Sequence, residues 1–291
     1  MEKIEKLIIE YENNIENTLK HKSYINEVKE YKGYIFKKIR NLKKFENEVE
    51  WLKKLKTLNY NVPQIAGTYN NEILVTKKID GNVISDDNAK EYLYNIGKLL
   101  AELHNLPIVE SCDWKDFIMS EYIELKESVK DVMEKDLFDQ VTEFIENGLQ
   151  KTLVSKLAII HRDLRPENVI LSDGKYYLLD LESMCVGDID YDFTRMFNLL
   201  NEKNIYQYED FKNLIDGYRQ INNIKISEEK WQLYNKFYSF RIYARMLLGR
   251  IKRDAQYEEY LKKTILSTEN RVTEWIKKYN KESKDYKEVK K

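Results

Sequence analysis

The stretch LAIIHRDLRPENVILSDGKYYLLDLE, residues 157–182, decides how this chain reads. Leu157–Ile160 is a short apolar run that predicts a strand. Val169–Leu171 and Tyr176–Leu179 flank Asp173-Gly174, a dipeptide suited to the positive-φ positions of a two-residue hairpin turn. Counting back from that turn pairs Ser172 with Lys175, Ile170 with Tyr177, and Asn168 with Leu179. Asn168 and Asp180 then meet at the open end of the hairpin, and Asp163 lies on the loop entering it. An amide and two carboxylates brought to one strand end form an all-oxygen donor set. Such a set suits a hard cation such as Mg²⁺ and can orient a hydroxyl.

The spacing H-R-D, then Asn after four residues, then Asp beyond a hairpin is that of a phosphoryl-transfer catalytic loop. In that template Asp163 orients the acceptor hydroxyl and takes its proton, while Asn168 and Asp180 ligate the Mg²⁺ ions that bridge the nucleotide phosphates. Over roughly residues 20–270 the chain resembles the aminoglycoside phosphotransferase and choline kinase superfamily, the small-molecule branch of the protein-kinase-like fold. The resemblance is most specific over 161–192, where HRDLRPEN, LLDLE and GDIDYDF match the catalytic loop, the metal-binding strand and the following helix start. It implies an α+β, bilobal fold. Residues 1–79 would form a small β-sheet, nucleotide-binding lobe with one helix, and 80–291 a larger, mostly helical catalytic and substrate-binding lobe.

That family needs a lysine on the third strand for the nucleotide phosphates and a glutamate on the next helix. In YIFKKI its pattern falls on Lys37, with Lys38 the open alternative. Phe45, Val49, Leu52 and Leu55 define an apolar helical arc, and Glu48 falls inside it whereas Glu46 and Glu50 do not. A carboxylate in an apolar stripe needs a partner, which Lys37 would supply. By resemblance, Thr76, Lys77, Lys78 and Ile79 form the hinge that receives the base of ATP, or of GTP, through backbone contacts. Two departures stand out. There is no G-x-G-x-x-G, and Asp180 is followed by Leu-Glu, which leaves Glu182 open as a metal or a substrate contact. The interval from Asp180 to Asp192 is too short for an activation segment that docks a peptide, so the expected substrate is a small molecule.

Composition bounds the rest. In 291 residues, 42% are apolar and 34% charged, with a formal net charge of −1. That balance lacks the clustered basic excess of a nucleic-acid binder. The N-terminus has no signal-peptide pattern, and no run approaches the roughly 20 apolar residues of a membrane span. The two cysteines lack metal-ligand spacing. The expectation is a cytoplasmic monomer or weak dimer with no membrane or nucleic-acid partner.

Hydrophobic periodicity predicts an opening helix through Ile4, Leu7, Ile8, Tyr11 and Ile15, a hairpin over 23–40 turning near Lys32-Gly33, and a helix over 45–58. A strand pair turning at Asn70-Asn71 follows, then helices over 88–105 and 115–150. After residue 190 the chain reads as helical, ending in a frayed lysine-rich tail after Lys277. His161 is expected to brace the catalytic loop, Asp192 to anchor it through backbone N–H groups, and His104 to pack or cap a helix end. His21 carries no signal. Asp188 and Asp190, with Glu182, read either as an acidic rim for a cationic substrate or as a solvated turn. Trp231, Tyr234, Phe237, Tyr238, Phe240 and Tyr243 read mostly as core. Arg241, Arg245, Arg250 and Arg253, expected on the same helix, suit a polycation poorly. The leading expectation is O-phosphorylation of an aminoglycoside-type antibiotic. A choline- or ethanolamine-kinase-like enzyme and a non-catalytic, spore-coat-type kinase-like protein are the alternatives.

Overall fold

A computed structural model describes residues 2–14, 18–20, 26–85, 87–108, 112–152, 154–203, 205–267 and 270–289. Ile15 and His21 lie outside the described residues, as do Ser23–Ile25 of the expected hairpin. The chain divides into two compact units, Met1–Ala89 with Arg165–Met184, and Lys90–Leu164 with Cys185–Lys291.

In the first unit, α1 (Glu2–Asn13) precedes β1 (Leu19–Lys20), β2 (Glu27–Tyr31), β3 (Tyr34–Lys38), α2 (Leu42–Thr57), β4 (Ile65–Tyr69), β5 (Ile73–Lys77) and β6 (Asn82–Val83). Five strands form an antiparallel sheet in the order β1-β2-β3-β5-β4. Phe36, Ile73 and Val75 face one way and close a core with Ile8 and Tyr11 of α1. The Tyr11 and Phe36 rings stack at 4.0 Å. Asn70 and Asn71 make the expected turn, both at φ 51°. Residues 80–89 and 165–184, assigned from sequence to the C-terminal lobe, cluster here instead. The reason is pairing: β6 is antiparallel to β8 (Val169–Ser172), which pairs in turn with β9 (Lys175–Leu178). Ile84 N donates to Val169 O, and Leu178 N to Asn61 O.

The second unit is mostly helical, with α3 (Ala89–His104), α4 (Trp114–Val129), α5 (Lys135–Lys151), α6 (Ile189–Glu202), α7 (Tyr208–Arg219), α8 (Glu228–Leu247), α9 (Ala255–Leu266) and α10 (Arg271–Val289). A short antiparallel pair, β7 (Leu157–Ile160) and β10 (Cys185–Asp188), precedes α6. Tyr234, Phe237, Phe240 and Tyr243 share one core with Trp114, Tyr122 and Ile145, so these four C-terminal aromatics are packing residues. Arg250 and Arg253 lie beyond the end of α8, not on it as expected, because the helix stops at Leu247 and Gly249 follows at φ +64°. Helices α3 and α7 approach at two glycines. A Cβ on Gly97 would sit 2.1 Å from Leu214 O, and one on Gly217 1.9 Å from Tyr94 O. No helix among the described residues is long and apolar enough to cross a membrane.

Candidate active site

Strand alternation decides between the two lysines of β3. Phe36 points into the core, so Lys37 takes the opposite face, opposite Val28 of β2 and Leu74 of β5. Its ammonium lies 2.5 Å from Glu48 Oε2 and 2.5 Å from Asp180 Oδ1, with Glu182 Oε2 at 3.9 Å. Lys38 instead pairs with Glu72 at 3.1 Å near the surface. Glu48 reaches Lys37 because α2 buries it with Phe45, Trp51, Leu52 and Leu55. Asn41 starts that helix, its side chain accepting from Lys44 N. Burial works against the Lys37 charge, but Glu48, Asp180 and Glu182 more than offset it and raise its pKa. Burial also drives the Glu48 carboxyl up, against the pull of Lys37, to about 7.

The hairpin delivers its carboxylate as counted. Val169 faces Leu178 and Ser172 faces Lys175, with Asp173 at φ 47° and Gly174 at φ 71° in the turn. Leu179 N donates to Asn168 O at 2.9 Å, so the residue before Asp180 is tied to Asn168. Asp180 itself adopts φ 60°, ψ 60°, a left-handed conformation that costs a non-glycine residue energy and is common at functional sites. Helix α2 then fixes the following turn. Lys44 Nζ lies 2.5 Å from Glu182 Oε1, Asn26 Nδ2 donates to Glu182 Oε2 at 2.7 Å, and Asn47 Nδ2 donates to the carbonyls of Glu182 and Met184. Ligand oxygens of Glu48, Asp180 and Glu182 fall within 4.8 Å of one another. This all-oxygen donor set, with Asn168 next to Asp180, fits a hard divalent cation. Lys37 engages both Glu48 and Asp180, while Lys44 and Asn26 engage Glu182.

The loop carrying Asp163 belongs to the second unit. Asp192, in the first turn of α6, accepts from His161 N at 2.7 Å through Oδ2 and from Arg162 N at 2.6 Å through Oδ1. His104 lies between Asp192 Oδ2, at 3.1 Å, and the Tyr218 hydroxyl, at 2.8 Å. Burial pushes the Asp192 carboxyl up, but the bond with His104, the charges of His104 and His161 and the backbone N–H of His161 hold it below its ordinary value. Asp192 is thus the anchor expected, and His161 the brace: it is fully buried and its Nδ1 accepts from Asp163 N at 3.3 Å. Arg162, at φ 68°, turns the chain at this point. Its guanidinium pairs with Glu121 of α4 and lies over the Phe117 and Tyr191 rings at 4.9 and 5.6 Å. The Asp163 side chain is 35% exposed, with Oδ1 3.5 Å from Arg195 Nε.

Thr76 and Lys77 end β5, Thr76 buried and Lys77 exposed. Lys78 N donates to Gly33 O and its ammonium pairs with Glu30 at 2.8 Å, while Ile79 is half-buried in the segment leading to β6. Both readings of Asp188 and Asp190, acidic rim and solvated turn, are overturned, because the two are buried around Lys230 at 2.7 and 3.0 Å. Tyr234 also donates to Asp188 at 2.9 Å. Sequence reasoning missed Arg195, Glu121 and the partners of Glu182. Arg195 falls one turn after Asp192 on the same helix, a spacing that could have pointed to it.

A sequence model of the phosphotransferase enzyme family matches residues 21–222. Many solved structures share the fold, three of them as follows. A choline/ethanolamine kinase family protein from Mesorhizobium loti aligns at TM-score 0.67 and 14% identity, over 89% of this chain and 90% of its own. A choline kinase from Streptococcus pneumoniae aligns at 0.64 and 17%, over 91% and 98%. The GDP complex of an aminoglycoside 2'-phosphotransferase aligns at 0.61 and 15%, over 85% and 90%. A search of curated proteins finds no significant match. The α+β architecture is therefore the kinase-like one, and by its sequence this chain belongs to the phosphotransferase enzyme family.

Proposed function

We propose that the chain transfers the γ-phosphoryl group of ATP, presented with Mg²⁺, to a hydroxyl of a small molecule. The observation that carries this reading is Lys37, buried between Glu48 and Asp180 at 2.5 Å from each. A lysine so held is a fixed donor for nucleotide phosphates, and the carboxylate beside it is a cation ligand. When bound to Asp180 and Asn168, the metal would neutralise charge on the phosphates. Asp163 orients the acceptor hydroxyl and receives its proton. Asp192, His161 and Arg162 hold the loop so that this carboxylate is placed before substrate arrives, which is the main source of rate in such a reaction. Thr76, Lys77, Lys78 and Ile79 would supply backbone contacts to the base, which could be guanine as well as adenine.

An aminoglycoside-type acceptor is the first to test, since aminoglycoside phosphotransferases share the fold. The burial of Asp188 and Asp190 removes the acidic rim that a polycation would want, which raises choline and ethanolamine to equal standing. The test is an ATP- and GTP-consumption screen over aminoglycosides, choline, ethanolamine, thiamine and sugars, alongside thermal shift with each Mg·nucleotide. Acceptor-dependent consumption lost in Asp163→Asn, with the nucleotide-induced shift retained, is the expected result. No thermal shift with either nucleotide would refute the reading in favour of a non-catalytic kinase-like protein.

A further inference from the structure

Arg195 has a position that packing alone does not explain. It rises from α6 into the interior of the second unit, where its guanidinium lies over the Tyr238 ring at 5.8 Å. Its Nε and Nη1 atoms are buried, and among the described residues neither has a hydrogen-bond partner. Arginine keeps its charge under essentially all conditions, and its N–H groups are rigid, directional donors. Leaving two of them buried and unmade is costly. Asp163 is the carboxylate in ion-pair range: its Oδ1 lies 3.5 Å from Arg195 Nε, just beyond a well-formed hydrogen bond. Catalytic hydrogen bonds are often long before substrate binds and tighten in the reacting complex.

We propose that Arg195 is a positioning residue for Asp163: its Nε–H captures Asp163 Oδ1 and so turns Oδ2 toward the acceptor hydroxyl. This rests on the phosphotransferase reading above for its consequence, though not for its geometry. Arg195 touches neither nucleotide nor acceptor in this role and acts through one carboxylate only. Its orphaned donors supply a reason for the side chain of Asp163 to settle in one orientation although it is a third exposed. The anchor of the loop, Asp192, fixes the backbone at His161 and Arg162, so the two devices are complementary.

The experiment compares Arg195→Met and Arg195→Lys with wild type and Asp163→Asn in the full-length chain. The first readout is the ¹³C resonance of the Asp163 carboxyl, assigned by its loss in Asp163→Asn, which needs no turnover. It should move in Arg195→Met and return part of the way in Arg195→Lys, with the thermal midpoint used to check that each variant is folded. An unmoved resonance in folded Arg195→Met overturns the proposal. The second readout is phosphate release from Mg·ATP with water as acceptor. Arg195→Met should lower kcat by up to about 100-fold, the cost of a misplaced catalytic group, and leave the KM for ATP unchanged. Added to Asp163→Asn, it should cause no further loss, whereas a merely structural role would lower activity in both backgrounds. Loss in both backgrounds also overturns the proposal. If wild type shows neither phosphate release nor a thermal shift with Mg·ATP or Mg·GTP while the resonance still moves, it is the phosphotransferase reading that fails and the Arg195–Asp163 link that stands.

Discussion

Replacing Lys37 by Met takes its ammonium out from between Glu48 and Asp180, and the cost can be worked from the geometry. At 2.5 Å and an effective dielectric near 20, each contact has a gross attraction of about 6–7 kcal/mol. Burying the ions costs several kcal/mol each, so removing one partner typically destabilises by about 3–5 kcal/mol. Glu48 has a way to reduce that loss. Its carboxyl titrates near 7 even beside Lys37, and without the lysine it must rise further. In the folded variant Glu48 therefore holds a proton at pH values where the unfolded chain has already lost it. A folded pKa raised in this way gives stability that is present below the unfolded value and lost as pH rises through the folded one. In wild type this loss is complete a little above pH 7, and in the variant it continues to higher pH, by at most about 1.4 kcal/mol per pH unit. The gap between the two proteins should be about 1–2 kcal/mol at pH 6 and widen to about 3 kcal/mol near pH 8.5. Urea unfolding at the two pH values, with m-values compared, measures it. A gap that is constant or narrows as pH rises would show that Glu48 is not the carboxylate Lys37 neutralises.

Other substitutions test separate parts of the structure. Asp163→Asn should cut acceptor phosphorylation by at least about 1,000-fold while the Kd for Mg·ATP changes less than threefold, measured by coupled assay and calorimetry. Lys236 is buried, with its ammonium over the Phe144 ring at 4.9 Å and bonded to the Ile265 carbonyl, and burial pushes its pKa down to about 8. Because the folded value is depressed, stability rises with pH between about 8 and 10.5. Lys236→Met should therefore stabilise by about 1–2 kcal/mol at pH 7, and the gain should fade by pH 10. A gain that persists at pH 10 would rule out charge burial as its cause. Gly97→Ala or Gly217→Ala must push α3 and α7 apart and should each destabilise by about 1–3 kcal/mol, read as a lower urea midpoint at unchanged m.

How much of this was legible in the sequence depended on the range of the interactions. The turn at Asp173-Gly174 fixed the hairpin register, because both residues accept positive φ and the strands must then pair outward from them. Glu48 was legible because a charge inside an apolar stripe has few tolerable fates. Lys37 and Lys38 could not be separated by residue type, but strand alternation separates them once Phe36 is known to face the core. The short strands at Asn82–Val83 and Cys185–Asp188 had no pattern of their own, since each exists only by pairing with residues distant in sequence. The same holds for Lys230 with Asp188 and Asp190. An acidic turn looks identical on paper whether water or a buried lysine neutralises it. Arg195 was hidden among many arginines, and only folding makes its unpaired donors visible.

The return of residues 165–184 to the first unit has a consequence for dissecting the protein. A fragment cut after Ala89 would keep Lys37 and Glu48 but lose Asp180, Glu182 and the strand Val169–Ser172 that pairs with Asn82–Val83. Lys37 would then face one carboxylate in place of three, and Lys44, Asn26 and Asn47 would lose Glu182 and Met184 as their acceptors. The compact unit that holds Lys37 and its three carboxylates is therefore discontinuous in sequence. It should be made as Met1–Ala89 joined by a linker to Arg165–Met184, and gene truncations that follow chain order will separate residues that work together.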